Sequence, residues 1–198
     1  PVDVIVPCYS GVPRMPSRVA LLLLALLDAA LACGPEPPVW PDQFMLVQRK
    51  VVDPGTQQQN ASVVTWYDYV NGANLLQISP DNNNSDVLWD LELNSHSSYY
   101  ITPSRRTCMP MQFPVGILRP DWLQNATFLG MRSVAGRSAM AWTKVDFIDY
   151  YADPVTCEPV SWYFHSMKAS FHTVLFVPNH TVPDLSWFKP PNYCKTTA

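Results

Sequence analysis

The sequence predicts an all-β protein: a strongly curved antiparallel sheet of about ten strands with few short helices, shaped as a half-barrel or sandwich-like layer. Three observations lead there. Short runs rich in β-branched and aromatic residues follow one another with turn residues between them, and no run keeps a 3.6-residue period over three turns. Twenty prolines in 198 residues suit many turns and few helices. Several runs are apolar or aromatic on both sides, so the sheet is covered on both faces or curls around a cavity.

Taken in order, residues 40–52 (WPDQFMLVQRKVV) read as the first strand, closed by Asp53-Pro54-Gly55. Residues 62–70 and 73–79 form a hairpin across Asn71-Gly72. Both positions of a type I′ turn need positive φ, and these residues tolerate it. That turn sets Tyr67 opposite Leu76 and Thr65 opposite Ile78. Residues 87–93 alternate, with Val87, Trp89, Leu91 and Leu93 on one side and Leu88, Asp90 and Glu92 on the other. Residues 97–102 are their partner. Residues 103–114, with three prolines and Cys108, read as a loop. Residues 115–118 read as a short strand and 120–123 as a helical turn opened by Pro120. Residues 127–134 and 137–145 make a hairpin across Ala135-Gly136.

The densest β signal lies in residues 142–177, read as three consecutive antiparallel strands, 142–151 (WTKVDFIDYY), 160–165 and 171–177. A turn at Lys168-Ala169 sets Trp162 opposite Leu175, Phe164 opposite Thr173 and His165 opposite His172. The remaining chain turns polar and is tied down at Cys194.

Residues 1–14 read as an upstream extension foreign to the protein, and 15–32 as a signal peptide: Arg18, the apolar run 19–27, and an Ala30-Leu31-Ala32 cleavage site. Residues 33–198 then form a single β domain. Nine apolar residues fall short of the roughly 20 a span requires, so no membrane span is expected after processing. The expected location is outside the cell or in the lumen of the endomembrane system. Cys33, Cys108, Cys157 and Cys194 remain, implying two disulfides with three connectivities open. Sequons at Asn60, Asn83, Asn125 and Asn179 mark expected glycosylation on accessible turns. A net charge of −3 without a basic cluster beyond Arg105-Arg106 gives no case for nucleic acid.

The runs Gly116-Ile117-Leu118-Arg119-Pro120-Asp121-Trp122-Leu123, Phe128-Leu129-Gly130, residues 142–153, residues 159–164 and Tyr193-Cys194 resemble a family of small secreted plant and algal proteins of unknown function. Earlier matches are Trp66-Tyr67-Asp68, Asn71-Gly72 and residues 91–94. More distantly the layout is similar to ependymin-related proteins. That resemblance implies a curved antiparallel sheet with a hydrophobic cleft, also seen in bacterial lipoprotein carriers, that binds apolar ligands. The chain departs from the family at Ala139-Met140, where a cysteine is often found, and at Cys157, where it is not.

Candidate chemistry is sparse. His165 and His172, paired on one face with Asp146 or Asp149 near, would suit a metal or a general base, or would be two polar residues on a wet face. Asp90 and Glu92, two apart on one strand side, would suit glycoside hydrolysis or simply face water. Asp68 and Asp146, set inside aromatic runs, need partners, and Arg119 is the expected one. Trp66, Trp89, Trp142, Trp162, Phe164 and Phe171 form either the core or the lining of a ligand cleft. No motif for a nucleophile, a nucleotide or any cofactor stands out. These features favour a glycoprotein that holds a lipid or other apolar small molecule on the concave side of its sheet. The alternatives are a carbohydrate-active enzyme, by transfer or hydrolysis, and a structural extracellular or cell-wall protein.

Overall fold

A computed structural model describes residues 33–82, 86–145 and 147–194. The extension, the signal peptide, Asn83 and Asp146 therefore lie outside the described residues. Eleven strands build one antiparallel sheet: β1 (Gln43–Val52), β2 (Ala61–Asp68), β3 (Ala73–Pro80), β4 (Leu88–Leu93), β5 (Ser97–Thr102), β6 (Thr107–Gln112), β7 (Thr127–Val134), β8 (Arg137–Lys144), β9 (Ile148–Ala152), β10 (Pro159–Phe164) and β11 (Ala169–Pro178). Their order is β6-β5-β4-β3-β2-β1-β11-β10-β9-β8-β7. The first and last strands thus pair at the centre, and two meanders extend from them as a left wing (β2–β6) and a right wing (β7–β11). The edges β6 and β7 do not pair, so the sheet stays open, and residues 113–126 cross from one edge to the other as a strap.

The sheet is strongly rolled, and Trp40 shows how far. Tyr67 on β2 and Tyr150 on β9 lie four strands apart, about 19 Å across a flat sheet. Both rings nonetheless pack against Trp40, with centroids at 5.5 and 6.3 Å. The face they share is the inner one. It holds Phe44, Leu46, Tyr67, Trp142, Tyr150 and Trp162 in one buried cluster beneath residues 33–42 and the strap. A second cluster occupies the outer face of the left wing, where Leu75, Leu91 and Ile101 lie beneath Val182, Trp187 and Phe188 of the C-terminal segment. Each cover is pinned by sulfur. Cys33 joins Cys157 and Cys108 joins Cys194, which settles the connectivity.

Several expected elements differ, each for a local reason. The first hairpin turns through residues 69–72 rather than through Asn71-Gly72 alone. The Asp68 carboxylate accepts hydrogen bonds from the Asn71 backbone N–H and Nδ2, at 2.9 and 2.8 Å, and spreads the turn. Only Gly72 takes positive φ, at 68°. Tyr67 therefore faces Asn74 and Thr65 faces Leu76, a slip of two residues that leaves every side chain on its expected face.

The run 142–151 is not one strand but the end of β8 and all but the last residue of β9, with Lys144 opposite Ile148 and Trp142 opposite Tyr150. Folding back stacks the aromatic row across the pair and leaves Lys144 at the tip, where its ammonium reaches strap carbonyls instead of lying among the rings. The last hairpin turns through residues 165–168, so Trp162 faces Phe171, Phe164 faces Ala169 and Ser161 faces His172. Ala169 is fully buried against the inner cluster, which draws it into the strand and pushes the turn upstream. Residues 107–112, expected in a loop, form the edge strand β6, where Pro110 is tolerated because one side of an edge needs no partner. Residues 115–118, expected as a strand, belong to the strap. The turn at 120–123 is present, closed by Trp122 N–H to Arg119 O and Gln124 N–H to Asp121 O at 3.1 and 2.8 Å.

Candidate functional site

The strap is positioned by three kinds of contact. At its left end Asn94, in the β4–β5 turn, fits between two glycines: a Cβ on Gly116 would stand 2.7 Å from Asn94 Oδ1, and one on Gly72 would stand 3.1 Å from Asn94 Nδ2. Asn94 Oδ1 accepts the Ile117 N–H at 3.2 Å, and the Asn94 N–H donates to Gly72 O at 2.9 Å. In the middle, the Tyr67 hydroxyl donates to Leu118 O at 2.7 Å and the Trp40 N–H to Pro120 O at 2.9 Å. At the right end Lys144 Nζ donates to Trp122 O and, at 3.2 Å, to Gln124 O.

Between the strap and the two wings lies an open cleft of about 800 Å³. Tyr69, Asn94 and His96 wall it from the left wing, Lys144, Val145 and Phe147 from the right, and residues 114–119 with Trp122 from the strap. Val145 is 87% exposed and Val115 67%, and Phe147 and Leu118 are exposed as well. That is an unusual gathering of apolar side chains in contact with water.

The expected site residues fall elsewhere. Trp142, Trp162 and Phe171 are buried core on the inner face and Phe164 packs against them, whereas Trp66 and Trp89 lie on the outer face against Trp187. The structure brings four of the six together, separates the other two, and places none in the cleft. Trp122 does line it; its place in the sequence, two residues after Pro120 in a run too short to be a strand, was the available signal.

His165 and His172 do not pair. His165 lies in the turn, with Nε2 3.2 Å from Asp149 Oδ1 but out of line for a hydrogen bond, while His172 Nδ1 meets Ser161 Oγ at 3.0 Å. Burial lowers the His172 pKa. Ser161 is only 1% exposed, which closes it to substrate.

Arg119 does not reach Asp68. Its guanidinium grips Asp121 through two bonds of 3.0 Å. Asp68, fully buried, accepts instead from Thr181, Asn71 and Gln43. Burial alone would raise its pKa, and those bonds outweigh it and hold the carboxyl below its usual range.

Asp90 and Glu92 are not on a wet face. Both are half-buried on the inner side of β4, Asp90 between Leu76 and Tyr100 and Glu92 between Asn74 and Ser98. Burial, reinforced by the charge of Glu92, pushes the Asp90 pKa up to about 7. Glu92 is raised by burial as well, against a 2.8 Å hydrogen bond from Asn74 that favours the charged form. Neither lines the cleft. Among the described residues, no three or more His, Cys, Asp or Glu side chains are grouped so as to hold a metal.

A family model described as a domain of unknown function, DUF8395, matches residues 39–194. The chain belongs to this family. The match spans β1 to Cys194 and so takes in both wings, the strap and the C-terminal cover of this DUF8395 protein. None of the curated proteins matches it. Thirty chains of solved structures do, among them an uncharacterized conserved protein from Thermus thermophilus, covering 88% of this chain and 95% of that one with a TM-score of 0.53 and 8% identity. At that identity the likeness speaks for the fold alone. Among the described residues no helix is long and apolar enough to cross a membrane.

Proposed function

We propose that this DUF8395 protein is a secreted or lumenal glycoprotein that binds a lipid-like apolar ligand, and that the ligand sits in the seam cleft rather than on the filled inner face of the sheet. One observation carries the reading. The strap and the strand-joining turns of both wings enclose a cleft whose volume lies within the usual range of small-molecule sites, and its rim exposes Val115, Leu118, Val145 and Phe147. The two disulfides and the exposed positions of Asn125 and Asn179 suit an oxidising, glycosylating compartment, and the ependymin-like resemblance points to the same class of ligand.

The test is direct. Titration of the full chain with N-phenyl-1-naphthylamine, an uncharged apolar dye, gives one saturable site, and the double variant Val145→Glu, Phe147→Glu weakens it about tenfold or more. A folded protein that leaves the dye dark ends the proposal.

A second reading has one observation in its favour. Asp90, with a pKa of about 7 and Glu92 beside it on the strand, has the properties of a general acid in glycoside hydrolysis. That reading requires release of the aryl group from aryl glycosides and its loss in Asp90→Asn. The cleft is lined by neither carboxylate, which is why apolar binding stands first.

A further inference from the structure

The polar groups of the cleft are unbalanced. Among the described residues, His96, Arg119 and Lys144 line it and no carboxylate does. Arg119 spends its charge on Asp121, which sits just outside the lining. Lys144 is different: its ammonium is held by two backbone carbonyls, Trp122 O and Gln124 O, so it is fixed in place while no carboxylate among the described residues pairs with it.

A second and independent observation concerns Trp122. Its side chain lies in the cleft wall, the residue is only 7% exposed, and the indole Nε1–H is buried with no acceptor among the described residues. A buried donor left unmatched is destabilising, and native structures keep few of them. Trp40 and Trp142 in the same cluster each satisfy theirs, on Tyr150 Oη and Pro35 O, both at 3.0 Å. This ammonium and this N–H together ask for an acceptor, and an ammonium asks for one that carries negative charge.

Deepening the apolar reading, on which this rests, we infer that the occupant of the seam cleft is an amphiphile with an anionic oxygen head, a carboxylate or a phosphate monoester on a long apolar tail. Lys144 and the Trp122 indole face the head, while Val115, Leu118, Val145 and Phe147 hold the tail. A cationic or purely hydrocarbon ligand leaves both donors unanswered.

The full chain, delipidated, is titrated with oleyl alcohol, oleate and mono-oleyl phosphate, which share one tail. The expected result is that at least one anion binds about tenfold or more tightly than the alcohol, the preference of carboxylate over phosphate or the reverse naming the head. Lys144→Gln brings anion and alcohol to within about threefold of each other. Because Lys144 also anchors the strap, Trp122→Phe serves as the second variant: it keeps the ring and removes the N–H, and should narrow the preference too. The Trp122 indole 15N–1H resonance shifts on binding the preferred anion and stays put with the alcohol. Alcohol bound as tightly as both anions, or an anion preference untouched by both variants, overturns the head-group inference and leaves apolar binding standing. If none of the three binds, both fall.

Discussion

Across β8 to β10 the buried side of the sheet is the inner one: Trp142, Tyr150 and Trp162 are sealed there, while Asp149, Tyr163 and His172 lie on the opposite side. Across β3 to β5 the sides are exchanged. Leu75, Leu91 and Ile101 are buried on the outer side, and Asn74, Asp90 and Glu92 lie on the inner one. The exchange takes place at β1, which is apolar on both sides: Phe44 and Leu46 face inward, Met45 and Val47 outward. An open sheet offers two faces, and this chain has two separate covers, one N-terminal with the strap and one C-terminal. Giving each wing its own cover lets both be stabilised without closing a barrel. It also leaves the inner face of the left wing free for polar groups that a closed barrel of this aromatic content could not hold.

The largest effects weigh the two clusters against each other. Trp142→Ala on the right wing and Leu91→Ala on the left each remove a side chain with no exposure, and each should cost about 3–5 kcal/mol in urea unfolding. A loss under about 1 kcal/mol for Leu91→Ala would mean the C-terminal cover is loosely laid. Replacing Cys108 and Cys194 together by alanine should cost about 2–5 kcal/mol, since the bridge closes a long loop and holds that cover down. Hydrogen exchange then speeds up in β4 and β5 before β9 and β10. Equal acceleration in both wings would erase the distinction between them.

Next in size is a pH effect that acts within a single strand of the left wing. Asp90 keeps its proton up to about pH 7 when folded, whereas the unfolded chain releases it near its ordinary value of about 4. The folded state therefore binds more protons between those values, and stability declines as pH rises through that window. Asp90→Asn removes the decline. It should gain on the order of 2–3 kcal/mol over wild type at pH 8, after allowance for the partial exposure of the site, and almost nothing at pH 4. Thermal unfolding of the two proteins across this range measures it, and parallel curves would show that Asp90 is solvated after all. Its neighbour Leu91, one residue along and on the other face, moves stability the opposite way.

What the sequence made legible follows from the same exchange. Alternation in residues 87–93 correctly separates Leu91 from Asp90 and Glu92, because period two depends only on the pleat. It places the carboxylates in water because a strand read alone has no information about the neighbours, Asn74, Leu76, Ser98 and Tyr100, that flank them on the inner face of the rolled sheet. Turn position is the second gap. Asn71-Gly72 and Lys168-Ala169 look like two-residue turns, yet the Asp68 side chain and the burial of Ala169 decide where the chain reverses, and both act through tertiary contacts. The histidine pair failed for that reason alone: its register was off by four residues. The cleft was the least legible part. It is walled by turns at the ends of strands distant in sequence, and its tryptophan comes from the strap, a segment with no periodicity to read.

The smallest expected effect probes how the strap joins the wings. At Gly116 an alanine Cβ would stand 2.7 Å from Asn94 Oδ1 and 3.1 Å from its Cα. The amide can swing aside, but the Ile117 N–H then loses its acceptor, and the Cα moves only with the whole β4–β5 turn. Gly116→Ala should therefore cost about 1–2 kcal/mol, seen as a lowered unfolding temperature. It should also weaken dye binding, since Asn94 and Val115 both wall the cleft. Asn94 belongs to the left wing and the Lys144 anchor to the right, so this variant loosens one end of the strap and spares the other. Dye affinity that stays intact while stability drops would show that the right-wing anchor alone sets the shape of the cleft, and that the left wing merely borders it.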